Sequence, residues 1–470
     1  MADIFETFRS ELADHHRMRP AGRVSEVAGG VLRVLGLNRA ARLGDRVEIR
    51  SGRVRRSGEA VALGPDGLRV LVAGPAEGIG PGDLAMLLPD RGIAPGDDWL
   101  GRIVDPAGRP LDGRPLAPGP VRRSLRAPAP AAAQRRPPGG RLDTGLAAFD
   151  TFLPLVRGQR IGLFAGSGVG KSMLLADLAR GVKVDVTVAA LIGERGREVR
   201  AFADGVLGPS ALARSVVIAA TSDQPALVRR RAAWAALTVA EHFRDAGAQV
   251  LLLMDSVTRF AEAHRDIALA AGEAAGPNGF PPSTGSEIAA LAERCGPGAS
   301  GGGDITAVLS VLVAGSDMDE PVADMLRGTL DGHVVLDRAI AERGRFPAID
   351  LLRSVSRSLP DAADKGENEL LLEGRRLLAV HERAELMVQS GLYAAGSDPS
   401  IDAALRVWPG LDAFLALPSP GGVEASFAAL RAVMAAAEPG GGVTGTRPPP
   451  QRAAPAASAG GGRRDTVRRP

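Results

Sequence analysis

The residues Ala165 to Ser172, AGSGVGKS, follow the apolar run RIGLF and lead into SMLLADLAR. Glycines at 166, 168 and 170, with Ser167 and Val169 between them, let the backbone curl until successive N–H groups face one point. A helix starting there adds the positive end of its dipole, which suits a phosphate. Lys171 then reaches the β- and γ-phosphates of a nucleotide, and the Ser172 hydroxyl is placed for magnesium. The strict pattern opens on glycine, whereas this loop opens on Ala165, where a methyl group fits if the backbone angle is ordinary. The bland alternative is a glycine-rich turn with a chance Gly-Lys-Ser. A strand before and an amphipathic helix after are the context a phosphate loop requires, so we expect a phosphate cradle.

Two carboxylates join it. VLLLMD ends an apolar strand on Asp255, which puts a carboxylate at the carboxyl edge of a parallel sheet, beside the loop. Such an aspartate holds magnesium. Glu194 follows the strand VTVAALI and reaches the same edge. Two readings stand for it: a base that polarises water against the γ-phosphate, or part of a solvated mixed-charge loop, ERGRE. Arg259, four residues past Asp255, either points back to the phosphates or makes a surface ion pair.

Other candidates are weaker. His333 in DGHVVL reads as a strand residue and Cys295 as a small helix residue, and the six histidines lack metal-ligand spacing. Arg229 to Trp234, RRRAAW, reads as a solvated helix face rather than a nucleic-acid patch.

The elements that position these groups follow from patterning. At 470 residues the chain exceeds one ordinary core. One cysteine excludes an internal disulfide and fits a reducing cytoplasm, and a net charge of +3 does not argue for nucleic acid. The N-terminus lacks the charge and apolar blocks of a secretory signal, and no run is long enough to span a membrane. Residues 1–20 carry Ile4, Phe5, Phe8 and Leu12 on one face of a short helix, either a plain terminal helix or a docking helix; its acids argue against membrane binding. Residues 21–95 show short apolar stretches broken by glycine, a small β-barrel. That stretch contains no Phe, Tyr or Trp, so it offers no platform for stacked bases. Residues 96–140 read as a loop-rich connector. Residues 141–368 alternate strand and helix, which predicts a mostly parallel sheet with helices on both faces. Residues 369–438 turn helical, and 439–470, rich in Gly, Pro, Ala and Arg, read as a disordered basic tail.

With AGSGVGKS, GERGREV, TSDQPALVRRRAAWAALTVAEHF, LLLMDSVTRFA, DGHVVLDR and GRFPAIDLLRSVSRSLP in that order, the chain resembles the catalytic subunits of rotary ATP synthases. It is more similar still to the flagellar protein export ATPases, over about residues 22–420. The resemblance implies an α/β fold: an N-terminal β-barrel, a central RecA-like P-loop domain and a C-terminal helical domain. It implies ATP and Mg2+ at Lys171, Ser172 and Asp255, and it makes Glu194 the carboxylate that activates water. Arg195 and Arg259 match arginines near the γ-phosphate and the subunit contact. Arg357, in SVSR, matches an arginine finger inserted by a neighbouring subunit, and Phe346 and Tyr393 match positions flanking the adenine. Ala165 is ordinary in this branch. The stretch GFPPSTGSEIAALAERCGPGASGGGD departs from the usual pattern after the PP pair, in a region that lines the family's central pore.

The activity so implied is ATP hydrolysis by a homo-hexameric ring that energises flagellar protein export. The expected partners are a regulatory subunit at the N-terminal helix, an export gate and stalk protein, and chaperone–substrate complexes. No nucleic acid is expected, and at most peripheral contact with the inner face of the bacterial inner membrane, from the cytoplasm. The injectisome secretion ATPase is the near alternative, and a Rho-like translocase the distant one.

Overall fold

A computed structural model describes residues 19–89, 92–313 and 320–437, so the N-terminal helix and the basic tail expected from the sequence lie outside the described residues. The barrel comes first. Strands β1 (Ala21–Ala28), β2 (Val31–Leu35), β3 (Arg46–Ser51), β4 (Val54–Gly64), β5 (Gly67–Val72) and β6 (Leu84–Leu88) close in the order β1-β2-β5-β4-β3-β6. Alternation along each strand sends Val24, Leu32, Val34, Val47, Ile49 and Val70 inward as a separate core. Closure removes exposed edges from a segment too small to bury them otherwise.

The central sheet runs β15-β14-β8-β13-β11-β9-β10-β7, with β12 (Gly296–Pro297) paired beside β13. Its parallel interior is β8 (Arg160–Ala165), β9 (Val186–Glu194), β10 (Ser215–Thr221), β11 (Gln249–Asp255) and β13 (Asp304–Leu312). These strands are near-continuous Val, Ile, Leu and Ala because both faces are covered. On one face lie α1 (Lys171–Gly181) and the C-terminal helices; on the other lie α2 (Ala226–Asp245), α3 (Val257–Ala271) and α4 (Ser283–Glu293). The helix α5 (Pro321–Thr329) precedes β14 (Gly332–Leu336), which runs parallel to β8, and β15 (Ile349–Ser356) returns antiparallel to it. The C-terminal unit is α6 (Lys365–Gln389), α7 (Pro399–Leu415) and α8 (Gly422–Met434). Asp364 and Glu367 form a capping box at the start of α6.

Two features differ from the sequence reading. Arg102–Val104, inside the stretch expected as connector, forms β7 and pairs in parallel with β10. Three residues between turns carry too little pattern to be recognised; the free edge of β10 supplies the pairing. The arginine run on α2 is not wholly solvated either. Arg230 is 5% exposed, donates to Glu59 of the barrel at 2.6 Å, and lies 4.8 Å from the Trp234 ring centroid. Arg126 reaches the same ring and the same carboxylate. Helical spacing located a charged face, but only the packed barrel shows that this face is a domain contact.

Candidate active site

The strand β8 ends at Ala165, the loop crosses Gly166–Gly170, and α1 starts at Lys171. Ala165 is fully buried and still paired, opposite Leu312 and Leu336. The off-pattern residue is therefore the last residue of a strand, where the backbone angle is ordinary and alanine's methyl is accommodated. Gly168 and Gly170 carry the left-handed angles, φ 80° and 89°, that a side chain would resist. A Cβ on Gly170 would stand 3.0 Å from Phe346, so the ring lies directly over the loop.

Neighbouring strands deliver the carboxylates. Asp255 ends β11, is 3% exposed, and accepts a 2.8 Å hydrogen bond from Ser310 on β13. Its same oxygen meets the Lys171 ammonium. Glu194 ends β9, the strand next to β11. Burial, then the Asp255 charge and a hydrogen bond shared with Glu198, push its carboxyl up to about 7, with Lys171 pulling the other way. A carboxylate poised near neutrality is suited to take a proton from water. Lys171 and Glu194 face an open cleft of about 1320 Å3 lined by the phosphate loop, Gly193 to Arg195, Glu198, Arg259 and Asp337 to Ala339, and Asp255 is the buried anchor beneath Lys171.

Arg195 and Arg259 line the same cleft. Each is braced by a carboxylate three residues on: Arg195 by Glu198 at 2.9 Å and Arg259 by Glu262 at 2.8 Å. A Cβ on Gly193 would sit 3.1 Å from the Arg259 side chain, so Gly193 (φ 72°) gives Arg259 its passage toward Glu194. Arg259 thus both points to the cleft and makes an ion pair, which joins the two readings.

Arg357 lies elsewhere. Antiparallel pairing sets Ile349 opposite Leu336, beside the loop, and Ser356 opposite Gly332, at the far edge of the sheet. Arg357 follows there, exposed, its amide donating to Asp331 at 3.0 Å. It stands at the end of the sheet opposite its own phosphate loop. Tyr393 is not among the cleft residues. Its hydroxyl is held at the start of α7, 3.0 Å from the Asp398 carbonyl and 2.9 Å from Asp402.

Sequence reading passed over Glu198, Ser310, Arg338 and Arg353. Glu198 carries a signal, since it lies one turn past Glu194 in GREV. Ser310 is an ordinary strand residue until β13 pairs with β11. Arg338 and Arg353 reach the cleft through the β14–β15 return, which apolar patterning does not reveal.

Glu194→Gln keeps size and hydrogen bonding but loses the basic charge. ATP binding is expected to persist while phosphate release falls about 10²-fold or more. In the unaltered protein kcat/KM should drop tenfold per pH unit below about 7 and flatten above it, because only the ionised carboxyl accepts a proton. Glu194→Gln should erase that limb; the same limb in the variant assigns it to another group.

Among the described residues no helix is long and apolar enough to cross a membrane. Residues 145–356 match the ATP synthase alpha/beta family, nucleotide-binding domain, and residues 363–420 match the T3SS EscN ATPase C-terminal domain. The chain is 45% identical to the flagellum-specific ATP synthase of Caulobacter vibrioides, over 87% of this chain and 94% of that one. It is 46% identical to the SPI-2 type 3 secretion system ATPase of Salmonella typhimurium, over 71% of this chain and 77% of that one. The assembled ATPase EscN of enteropathogenic E. coli superposes with a TM-score of 0.81 at 38% identity, covering 88% of this chain and 100% of that one. EscN in complex with its central stalk EscO gives 0.78 over the same shares, at the same identity. This chain belongs to the ATP synthase alpha/beta family, in the branch that holds the flagellum-specific ATP synthases and type III secretion ATPases.

Proposed function

We propose that this chain hydrolyses ATP as a homo-hexameric ring and energises the export of flagellar proteins. One observation carries the reading: Lys171, Asp255 and Glu194 converge at one sheet edge while Arg357 stands exposed at the other. Each subunit then holds a phosphate site and offers a cation to a neighbour's. Higher identity to the flagellum-specific relative than to EscN, over a like share of this chain, favours flagellar over injectisome export, and the barrel without aromatic residues argues against a nucleic-acid translocase.

In the proposed reaction the loop amides and Lys171 hold the β- and γ-phosphates, and Glu194 takes a proton from the water that attacks in line. Arg195 and Arg259 orient the γ-phosphate. Phe346, over Gly170, packs the base, with Tyr393 the second candidate by resemblance. The Ser172 hydroxyl and Asp255 carboxylate are the hard oxygen donors that fit Mg2+. When bound, Mg2+ neutralises charge on the β- and γ-oxygens.

By likeness to the stalk-bound assembly, a central stalk protein occupies the ring. The export gate, chaperone–substrate complexes and a regulatory subunit at residues 1–20 are the further partners, met in the cytoplasm at the flagellar base. A strain whose only copy carries Glu194→Gln should release much less filament protein into the medium while making the protein normally. Unchanged secretion at normal expression overturns the export role; phosphate release by the pure protein tests hydrolysis separately.

A further inference from the structure

The helix α3 runs between two sites. Near its start, Thr258, Arg259 and Glu262 line the nucleotide cleft. It ends at Gly272, where a Cβ would stand 2.9 Å from Arg69 Nη1 on β5 of the barrel. With 15 residues it spans about 22 Å. Midway stands His264, buried and 6% exposed.

A chain of polar contacts crosses α3 at this histidine. Arg230 of α2 donates from Nη2 to Glu59 of the barrel at 2.6 Å and turns Nη1 to His264 Nδ1, 3.5 Å away. His264 Nε2 lies 2.8 Å from the hydroxyl of Ser283, the first residue of α4. Ser283 donates its hydroxyl proton to Glu273 Oε2 at 2.7 Å, and its amide donates to Oε1 at 2.9 Å. Glu273 thereby caps α4, whose own N-cap residue, Pro282, makes no side-chain bond.

The two ends fix every proton between them. A guanidinium only donates and an ionised carboxylate only accepts. The single hydroxyl proton of Ser283 goes to Glu273, so the Ser283 oxygen accepts from His264 Nε2–H. Nδ1 faces a donor and must offer its lone pair. His264 is therefore the neutral Nε2–H tautomer. Burial, then the Arg230 charge, hold its pKa below the usual imidazole value; Arg126 acts the same way, and Glu287 and Glu273 oppose it.

On the reading that Arg259 orients the γ-phosphate, we propose that His264 is a positioning residue for Arg259. As this tautomer it ties α3 to α2, α4 and the barrel, which holds the first turn of α3 at the nucleotide cleft. Glutamine can take its place, since the carbonyl oxygen accepts from Arg230 and the amide donates to Ser283. Leucine, of about the same bulk, offers neither bond.

Phosphate release by the full chain tests this. His264→Leu is expected to lower kcat about tenfold or more, with KM nearly unchanged because the loop amides and Lys171 still hold the phosphates. His264→Gln should keep kcat. Combined with Arg259→Ala, His264→Leu should add no further loss, because it acts through that arginine. Losses that multiply, ordinary kcat in His264→Leu, or a His264→Gln chain as slow as His264→Leu overturn the proposal. Ordinary kcat in Arg259→Ala overturns the reading of Arg259 as well, which tells the two failures apart. If circular dichroism shows that His264→Leu does not fold, Ser283→Ala, which cuts the same chain one bond further on, takes its place in the cycle.

Discussion

Arg357→Ala is expected to leave nucleotide binding intact and to lower turnover by about 10³- to 10⁵-fold, the range seen when an arginine finger is removed. That loss equals about 4–7 kcal/mol of transition-state stabilisation. The reason is topological. β15 runs back along β14, so its last residues sit at the sheet edge opposite the phosphate loop. An exposed cation there has no γ-phosphate of its own to reach; in the proposed ring it would meet the one next door. Two consequences are measurable. Activity per subunit should rise with protein concentration as rings assemble. Mixing Arg357→Ala with Lys171→Ala subunits should restore some activity, because certain interfaces then pair an intact lysine with an intact arginine; exchange of labelled subunits is verified first. Constant specific activity down to concentrations where sedimentation shows only monomer would refute a site completed in trans.

Lys171→Ala should abolish detectable phosphate release. The γ-phosphate gathers negative charge in the transition state, and Lys171 is the loop's only side-chain cation. The substitution also strips Asp255 of the ammonium it contacts, leaving a buried carboxylate that still accepts from the Ser310 hydroxyl but faces no cation. A loss of stability is therefore expected alongside the loss of activity, and circular dichroism and a thermal melt must accompany the assay. Lys171→Met separates the two effects less well than Lys171→Arg, which keeps the charge but replaces the compact ammonium with a bulkier planar group. A folded Lys171→Ala chain with ordinary turnover would sink the phosphate-loop assignment.

Motifs with obligatory local geometry are legible in the residues themselves. Gly168 and Gly170 must be glycine because of their left-handed angles, and the strand–loop–helix around them is written in adjacent residues. Buried parallel strands are equally plain, since a strand covered on both faces must be apolar throughout. Asp255 and Glu194 are placed at the sheet edge by the same logic, each as the polar end of such a run.

Whatever depends on residues far apart in the chain was decided only by tertiary structure. The charge state of Glu194 is one case: its shift comes from burial and from Asp255, 61 positions away and brought beside it by strand pairing. β7 is another, a three-residue strand that exists because β10 has a free edge. Arg230 reads as a surface residue until the barrel's Glu59 covers it. Tyr393, matched by resemblance, directs its hydroxyl to the start of α7. Sequence alone determined the phosphate loop, the strands and the carboxylates, because local backbone geometry and burial dictate residue type directly. The fold decided which of those groups meet, how strongly they perturb each other, and at which end of the sheet Arg357 stands, because these depend on strand order and packing, which no single segment encodes.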